Sequence, residues 1–394
     1  MEYPDDNREK NTGPDTGAGG KKHRGAEEGE GTGKKDGILC GVFIFLLAGG
    51  FLFCLFLPKD RYSESERRML TPMPVLSAES VWSGRFMSGF EDYAADTFPF
   101  RDAFRGIKAA AARNVFFRQD NNGIYEADGF IAAMEYAMDR DSLVRAAERF
   151  RLVWGKYLTD ENKVYLCVIP DKNCFLAEGS GHLSMDYADF EKQMADLADF
   201  AEYIPVSDLL ERDDYYRTDT HWRQERISDV ADRLARAMGT ELVQDYEIRT
   251  LEQDFYGVYH GQAALPLAPD RLQYVVGEDI LACEVYDWQN GKEIAVYDME
   301  KAAGRDPYEM FLAGSLSLLT VKNPHARTDK KLVLFRDSFG SSIAPLLAGG
   351  YAQITLVDIR YIHPEQLGQF VDFENCDVLF LYSTLVLNHS GTLK

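Results

Sequence analysis

Two short segments carry residue types that together could move an acyl group. The first is KLVLFRDSFGSSIAPLL, Lys331–Leu347. An apolar strand pattern runs into Arg336-Asp337-Ser338-Phe339-Gly340, and an apolar helix pattern follows. This puts Ser338 at the carboxyl end of a strand and near a helix start. Ligand sites of open α/β sheets form outside the carboxyl ends of strands. A helix start offers unpaired N–H groups and a positive dipole end, which favour an oxyanion developing beside a serine. On this segment alone, capping of the helix by Ser338, Ser341 and Ser342 is the stronger reading. The G-x-S-x-G elbow of α/β-hydrolases is absent.

The second segment is YYRTDTHW, Tyr215–Trp222. His221 has a carboxylate, Asp219, two positions before it. That pair suits a general base and the group that fixes its tautomer and balances the imidazolium. Of seven histidines, only His221 has a carboxylate at that offset. The alternative is helix capping by Asp219 beside a surface histidine. A metal site is not indicated. His221 has no second histidine at helical offset, and no H-E-x-x-H occurs. His182, His260, His325, His363 and His389 read as structural or surface residues. Nothing in these motifs calls for a cofactor.

The elements that must position these segments alternate. Strands are expected at Lys163–Pro170, Ala201–Val206, Lys331–Phe335, Gln353–Asp358 and Asp377–Tyr382. Helices are expected over residues 141–160, Phe190–Phe200, Arg223–Met238 and Ile343–Leu347. Short, nearly continuous apolar strands separated by helices indicate a parallel sheet covered on both faces, a three-layer α/β domain over residues 141–394. Residues 240–325 break the rhythm with polar strands and turns and read as an insertion. Residues 58–140 read as a helical lead-in. Before them, Ile38–Leu57 runs for 20 residues without a charge, long enough to cross a bilayer. A long leader and no A-x-A-like cleavage site make it an uncleaved signal-anchor rather than a signal peptide. Residues 1–36 read as a disordered tail on the cytoplasmic side, residues 37–57 as the span, and the rest as extracytoplasmic.

The net charge of −21 excludes nucleic acid binding through the general surface, because phosphates need a positive field. Six cysteines show no CxxC pair, so neither a zinc site nor a redox motif is expected. A Cys167–Cys174 disulfide is one reading; a buried Cys167 thiol is the preferred one.

In combination these segments resemble the DHHW protein family, related to the alginate O-acetylation proteins of the SGNH-hydrolase-like superfamily. The resemblance covers roughly residues 60–385. It rests on Ser65-Glu66-Arg67-Arg68, Asp96-Thr97-Phe98-Pro99-Phe100-Arg101, Tyr216–Trp222, Arg336–Gly340 and Val357–Tyr361, in that order. It implies a triad: Ser338 as nucleophile, His221 as base, Asp219 as orienter. It also implies acetyl transfer onto an extracytoplasmic polysaccharide, beside a membrane-bound acyltransferase as partner. Two departures stand out. Thr220 replaces the first histidine of the family's pair, which is not the base. Phe311–Leu316 reads FLAGSL where the family often has Gly-Gly-Asn, so Ser315 is the oxyanion candidate in place of asparagine. Trp222 and Tyr216 are candidates for stacking on sugar rings, with core packing as the alternative.

The reading is therefore a membrane-anchored O-acetyltransferase acting on a cell-surface glycan with an acyl donor. An acetylesterase with the same triad, or a non-catalytic glycan-binding scaffold of the envelope, are the alternatives. Because the nucleophile comes last in chain order, a rearranged connectivity relative to ordinary SGNH hydrolases is expected.

Overall fold

The computed structural model describes residues 29–56, 59–63, 65–242 and 245–394. It divides into two units, residues 1–59 and 60–394, each described by itself. In the first, Gly29–Phe56 is one helix. Its Asp36–Cys54 stretch is long and apolar enough to cross a membrane. At about 1.5 Å per residue it approaches the roughly 30 Å of a bilayer core. The helix starts earlier than the sequence suggested, taking in residues 29–36 of the expected tail. Residues 1–28 of that tail, and Leu57 of the expected span, lie outside the described residues.

The second unit opens with the lead-in. Helices at Ala78–Trp82, Arg85–Asp96 and Arg101–Asn114 are followed by an antiparallel hairpin, Ile124–Ala127 with Phe130–Ala133. The hairpin turns through Asp128-Gly129, both at positive φ, as tight two-residue turns require. The two charged motifs of the lead-in meet in space. Asp96 accepts two bonds from the Arg68 guanidinium at 2.8 and 2.6 Å and two more from Thr71. Glu66 pairs with Arg101 at 2.7 Å and Arg105 at 3.2 Å.

An eight-stranded sheet forms the core. Its strands are β1 (Val164–Ile169), β2 (Glu202–Tyr203), β3 (Glu284–Asp287), β4 (Lys292–Ile294), β5 (Leu318–Lys322), β6 (Lys331–Arg336), β7 (Gln353–Val357) and β8 (Cys376–Ser383). The spatial order is β4-β3-β5-β7-β6-β8-β1-β2. The run from β7 to β2 is parallel; β5, β3 and β4 continue it antiparallel. The stretch read as an insertion is thus only partly one. Its β3, β4 and β5 extend the main sheet, while Glu247–Phe255 and Asp270–Val276 pair as a separate ribbon. The polar alternation of an antiparallel edge is what disguised it.

Strand alternation sends apolar residues to both faces. Cys167, Leu334, Leu379 and Ile354 face the helices Ser228–Ala237 and Phe339–Leu347. Leu166, Val333, Phe335 and Phe380 face the helices Arg140–Tyr157 and Tyr187–Leu197. This is the expected three-layer α/β arrangement with a mostly parallel sheet. The expected Ala201–Val206 strand shrinks to Glu202–Tyr203. All six cysteines are free, and Cys167 is buried in β1.

Arg68 beside Asp96 holds its carboxyl well below the usual carboxylate range. A depressed folded-state value adds stability above about pH 4 that is lost as pH falls further. Asp96→Asn is therefore expected to lower the unfolding free energy by about 1–2 kcal/mol at neutral pH, the worth of a charge-assisted bond partly open to solvent. In urea titrations the difference from wild type should shrink below about pH 4.

Candidate active site

Strand β6 ends at Arg336, and Asp337 and Ser338 follow at its carboxyl edge. Ser338 occupies the cap position of the Phe339–Leu347 helix, yet its side chain makes no capping bond. Asp337 does that work: its Oδ1 accepts from Phe339 N at 2.9 Å. Its Oδ2 accepts from Ser383 N and Oγ at 2.8 and 2.7 Å, which pins the end of β6 to the end of β8. Ser338 Oγ is left for another partner, His221 Nε2, at 2.8 Å. The helix approaches closely because residue 340 is glycine. A Cβ there would stand 2.5 Å from Arg336 Cβ.

His221 and Asp219 lie on a loop closed by the Tyr215↔Trp222 bridge. His221 Nδ1 and Asp219 Oδ1 are 2.5 Å apart, and the same oxygen accepts from His221 N at 3.1 Å. Asp219 Oδ2 accepts from Val258 N at 2.8 Å. Burial alone would raise the Asp219 pKa. The His221 charge and hydrogen bond, the Arg67 guanidinium and the Val258 N–H outweigh it and hold the group well below the carboxylate range. The imidazole is clamped between rings. Tyr308 stacks on it at 3.8 Å and 8°, and Phe339 lies tilted at 5.1 Å. Tyr308 OH donates to Ser342 Oγ at 2.8 Å, which fixes the stacked ring.

The loop itself is held by charges. Lys172, just past β1, donates from Nζ to the carbonyls of Tyr216, Arg217 and Asp219 at 2.8, 3.1 and 2.6 Å. Three acceptors match the three donors of an ammonium. Burial pushes Lys172 down to about 7, against the pull of Asp219, Asp270 and Asp171. Asp270 accepts from Thr218 N and Oγ1 at 2.8 and 2.6 Å. Arg67 stands 4.0 Å from Asp219 Oδ2 and 2.7 Å from Asp306 Oδ2, with its guanidinium over the Phe255 ring. Asp306 in turn caps the short helix that carries Tyr308. Two glycines permit this closeness: a Cβ at Gly257 would meet Asp219 Cα at 2.3 Å, and one at Gly261 would meet Ser65 O at 1.4 Å.

The structure therefore brings Ser338, His221 and Asp219 into one hydrogen-bonded chain. The aromatic expectations are corrected. Trp222 is fully buried, its indole N–H bonded to Ser342 Oγ at 2.9 Å and its ring edge-on to Phe339. Tyr216 is also fully buried, edge-on to Phe255 and Tyr308. Neither can stack on a sugar; both pack the His221 loop onto the core. Ser315 is exposed on a loop whose Leu312, Ala313 and Gly314 all have positive φ. Arg336 ties that loop to β6 by donating to Gly314 O and Leu316 O at 3.2 and 3.4 Å. Ser315 makes no hydrogen bond to Ser338, His221 or Asp219 among the described residues. Thr220, at the departed histidine position, accepts from Tyr259 OH at 3.2 Å. Lys172, Arg67, Asp270 and Tyr308 were not anticipated from sequence. For Lys172 the one available signal is a lysine directly after an apolar strand.

No protein-family profile and no curated protein matches the chain in sequence. Solved structures do match it in fold. A DHHW family protein from Eubacterium siraeum aligns with TM-score 0.54 at 19% identity, over 68% of this chain and 93% of that one. Bacillus cereus PatB1, solved with a sulfonyl adduct, aligns with TM-score 0.53 at 17% identity, over 67% and 95%. The O-acetyltransferase domain of Pseudomonas putida AlgJ aligns with TM-score 0.41 at 14% identity, over 68% and 92%. The first two carry the statement that this chain shares the fold of the DHHW family protein and PatB1.

Lys172→Met would leave three carbonyls without their donor. At about 1–3 kcal/mol for a buried unsatisfied group, it is expected to destabilise the protein by several kcal/mol. It also removes a pH dependence. Lysine's usual value is 10.5 and Lys172 sits near 7. The unfolded chain thus binds the extra proton between those values, and wild-type stability rises with pH across that window. Urea unfolding at neutral and alkaline pH should show the rise in wild type and its loss in Lys172→Met.

Proposed function

We propose that this chain is a membrane-anchored acyl-transfer protein working outside the cytoplasm, and that it moves an acetyl group onto a cell-surface glycan. The observation that carries the reading is the chain Asp219 Oδ1–His221 Nδ1 at 2.5 Å and His221 Nε2–Ser338 Oγ at 2.8 Å. Both distances lie within reach for proton transfer along the chain.

In this reading Ser338 Oγ attacks the carbonyl carbon of the donor's acyl group. Its proton passes to His221 Nε2 as the bond forms. The tetrahedral oxyanion collapses, the donor's leaving atom takes the proton from Nε2, and the acyl group remains on Oγ as an ester. A sugar hydroxyl then gives its proton to Nε2 and attacks that ester. The O-acyl sugar departs and Ser338 recovers its hydrogen. Asp219 stays ionised throughout, holding the Nδ1–H tautomer and balancing the imidazolium. The Ser338 N–H, at a helix start, is the first oxyanion donor proposed. The hydroxyl of Ser315 is the second, on the loop that Arg336 secures. Water in place of the sugar would make the same machinery an acetylesterase, so acceptor binding is what separates the two.

The Asp36–Cys54 span is the proposed anchor, with the folded unit on the far side of the membrane from the N-terminal tail. The proposed partner is a membrane-bound acyltransferase that supplies the acyl group. The fold neighbour PatB1 was solved with a sulfonyl adduct. An activated Ser338 should react with the same reagent class.

The purified protein is expected to hydrolyse a chromogenic acetyl ester slowly and to gain one sulfonyl group on Ser338 by mass spectrometry. Ser338→Ala, His221→Ala and Asp219→Asn should each lose at least roughly a thousandfold in kcat/KM. Equal turnover by wild type and Ser338→Ala, with full rescue of a deletion strain by the variant, would sink the enzyme reading in favour of a scaffold.

A further inference from the structure

The two faces of the sheet are not treated alike. On the face bearing Cys167 and Leu334, apolar side chains continue to the antiparallel end through Ile354, Val321 and Val285. On the other face the apolar run stops. Val333 of β6 pairs in register with Thr355 of β7, Thr355 with Thr320 of β5, and Thr320 with Tyr286 of β3. Beyond buried Val333, the residues Thr355, Thr320 and Tyr286 line a depression of about 500 Å³, within the range of ligand sites, with Phe370 and Asp372 also in its wall.

A solvated antiparallel face needs only polar and β-branched residues. This one also presents two large aromatic rings. Tyr286 is 38% exposed and Trp288 46%. Their rings stand edge-to-face, 5.2 Å apart at 82°. Trp288 is not loose: its indole N–H donates to Thr320 Oγ1 at 2.9 Å, which orients the ring. Around the rings, Glu284, Glu293 and Lys322 make no side-chain hydrogen bond or ion pair among the described residues. The floor thus offers fixed apolar planes ringed by idle donors and acceptors.

Two further depressions adjoin it. A depression of about 360 Å³ shares the walls Glu284, Lys322, Lys331 and Gln353 with the first. Another, of about 460 Å³, shares Asp372. Within the depression that holds the rings, charge is nearly balanced, with Glu284, Glu293 and Asp372 against Lys322 and Lys331. Neither a polyanion nor a polycation has a complementary field here. A chain-like ligand with flat C–H faces and many hydroxyls, and without net charge, fits all of these features.

We infer that the groove across β3, β5 and β7 is a second binding site, and that it holds a neutral segment of a sugar polymer. The inference rests on the glycan half of the reading above and on none of its catalytic residues. Lys331 opens β6 and Ser338 follows its far end. At about 3.3 Å per residue, Lys331 at the groove's edge is roughly 23 Å from Ser338 along the strand, and Val333, level with Thr355, roughly 16 Å. The groove therefore holds the polymer rather than the reacting hydroxyl.

The test measures retention of the full-length detergent-solubilised protein on envelope polysaccharide purified from the cells that make it. Wild type and Ser338→Ala are expected to bind alike. Trp288→Ala and Tyr286→Ala should each weaken binding by roughly tenfold or more, with ester turnover and unfolding midpoint unchanged. Binding should persist from about 50 to about 500 mM salt, as for a neutral ligand. Equal retention of wild type and Trp288→Ala, no retention of either, or binding abolished by salt would each overturn the site. A failed ester assay with groove binding intact would instead count against the acyl-transfer reading alone.

Discussion

A carboxylate removed from water has to be held by charges and donors, and most of what surrounds Asp219 can be understood as that holding. Both of its oxygens are committed, one to His221 and one to Val258 N. Arg67 supplies a nearby positive charge, and Lys172 holds the loop through its carbonyls. Neither side chain is there by accident of surface proximity. Lys172 is fixed by following the buried strand β1. Arg67 is fixed by the lead-in, whose Ser65 carbonyl presses on Gly261 where no side chain would fit. The lead-in is therefore part of the site's electrostatics and not a passive spacer.

The second organising constraint is the end of β6. Asp337 caps the following helix with one oxygen and binds Ser383 with the other. That division frees Ser338 from capping, which local pattern alone had favoured. The same turn buries Arg336, which reaches across to the Gly314–Leu316 backbone and pairs with Asp358. The conspicuous charged residues around the serine thus hold the backbone on three sides of it.

Much of the fold was legible because its parallel strands are short apolar runs, a pattern that β1, β6, β7 and β8 display plainly. The site was legible at Ser338, Asp219 and His221 because these are local motifs at strand and helix boundaries. What escaped reading is what depends on distant contacts. Tyr308 stacks on a histidine far earlier in the chain, and nothing near it signals that role. Asp270 and Val258 support the Thr218–His221 loop from a region whose polar alternation looked peripheral. Trp222 and Tyr216 misled for a related reason. An aromatic beside a catalytic motif reads the same whether it faces a ligand or the core, and only packing decides.

Strand order has a consequence for how the molecule comes into being. β8 lies between β6 and β1, so Val164 finds its β8 neighbour only in Val378, far later in the chain. During synthesis β1 emerges early and must wait for β8. Until then the hydrogen-bonding edge that β8 will take stays unpaired. Such long-range parallel pairing is slow, and its waiting edges invite wrong partners. Ser383 is the last residue of β8 and also the partner of Asp337, so closing the sheet and seating the Ser338 turn are one late event. A chain cut short before it would carry Ser338, His221 and Asp219 and still not bring them together.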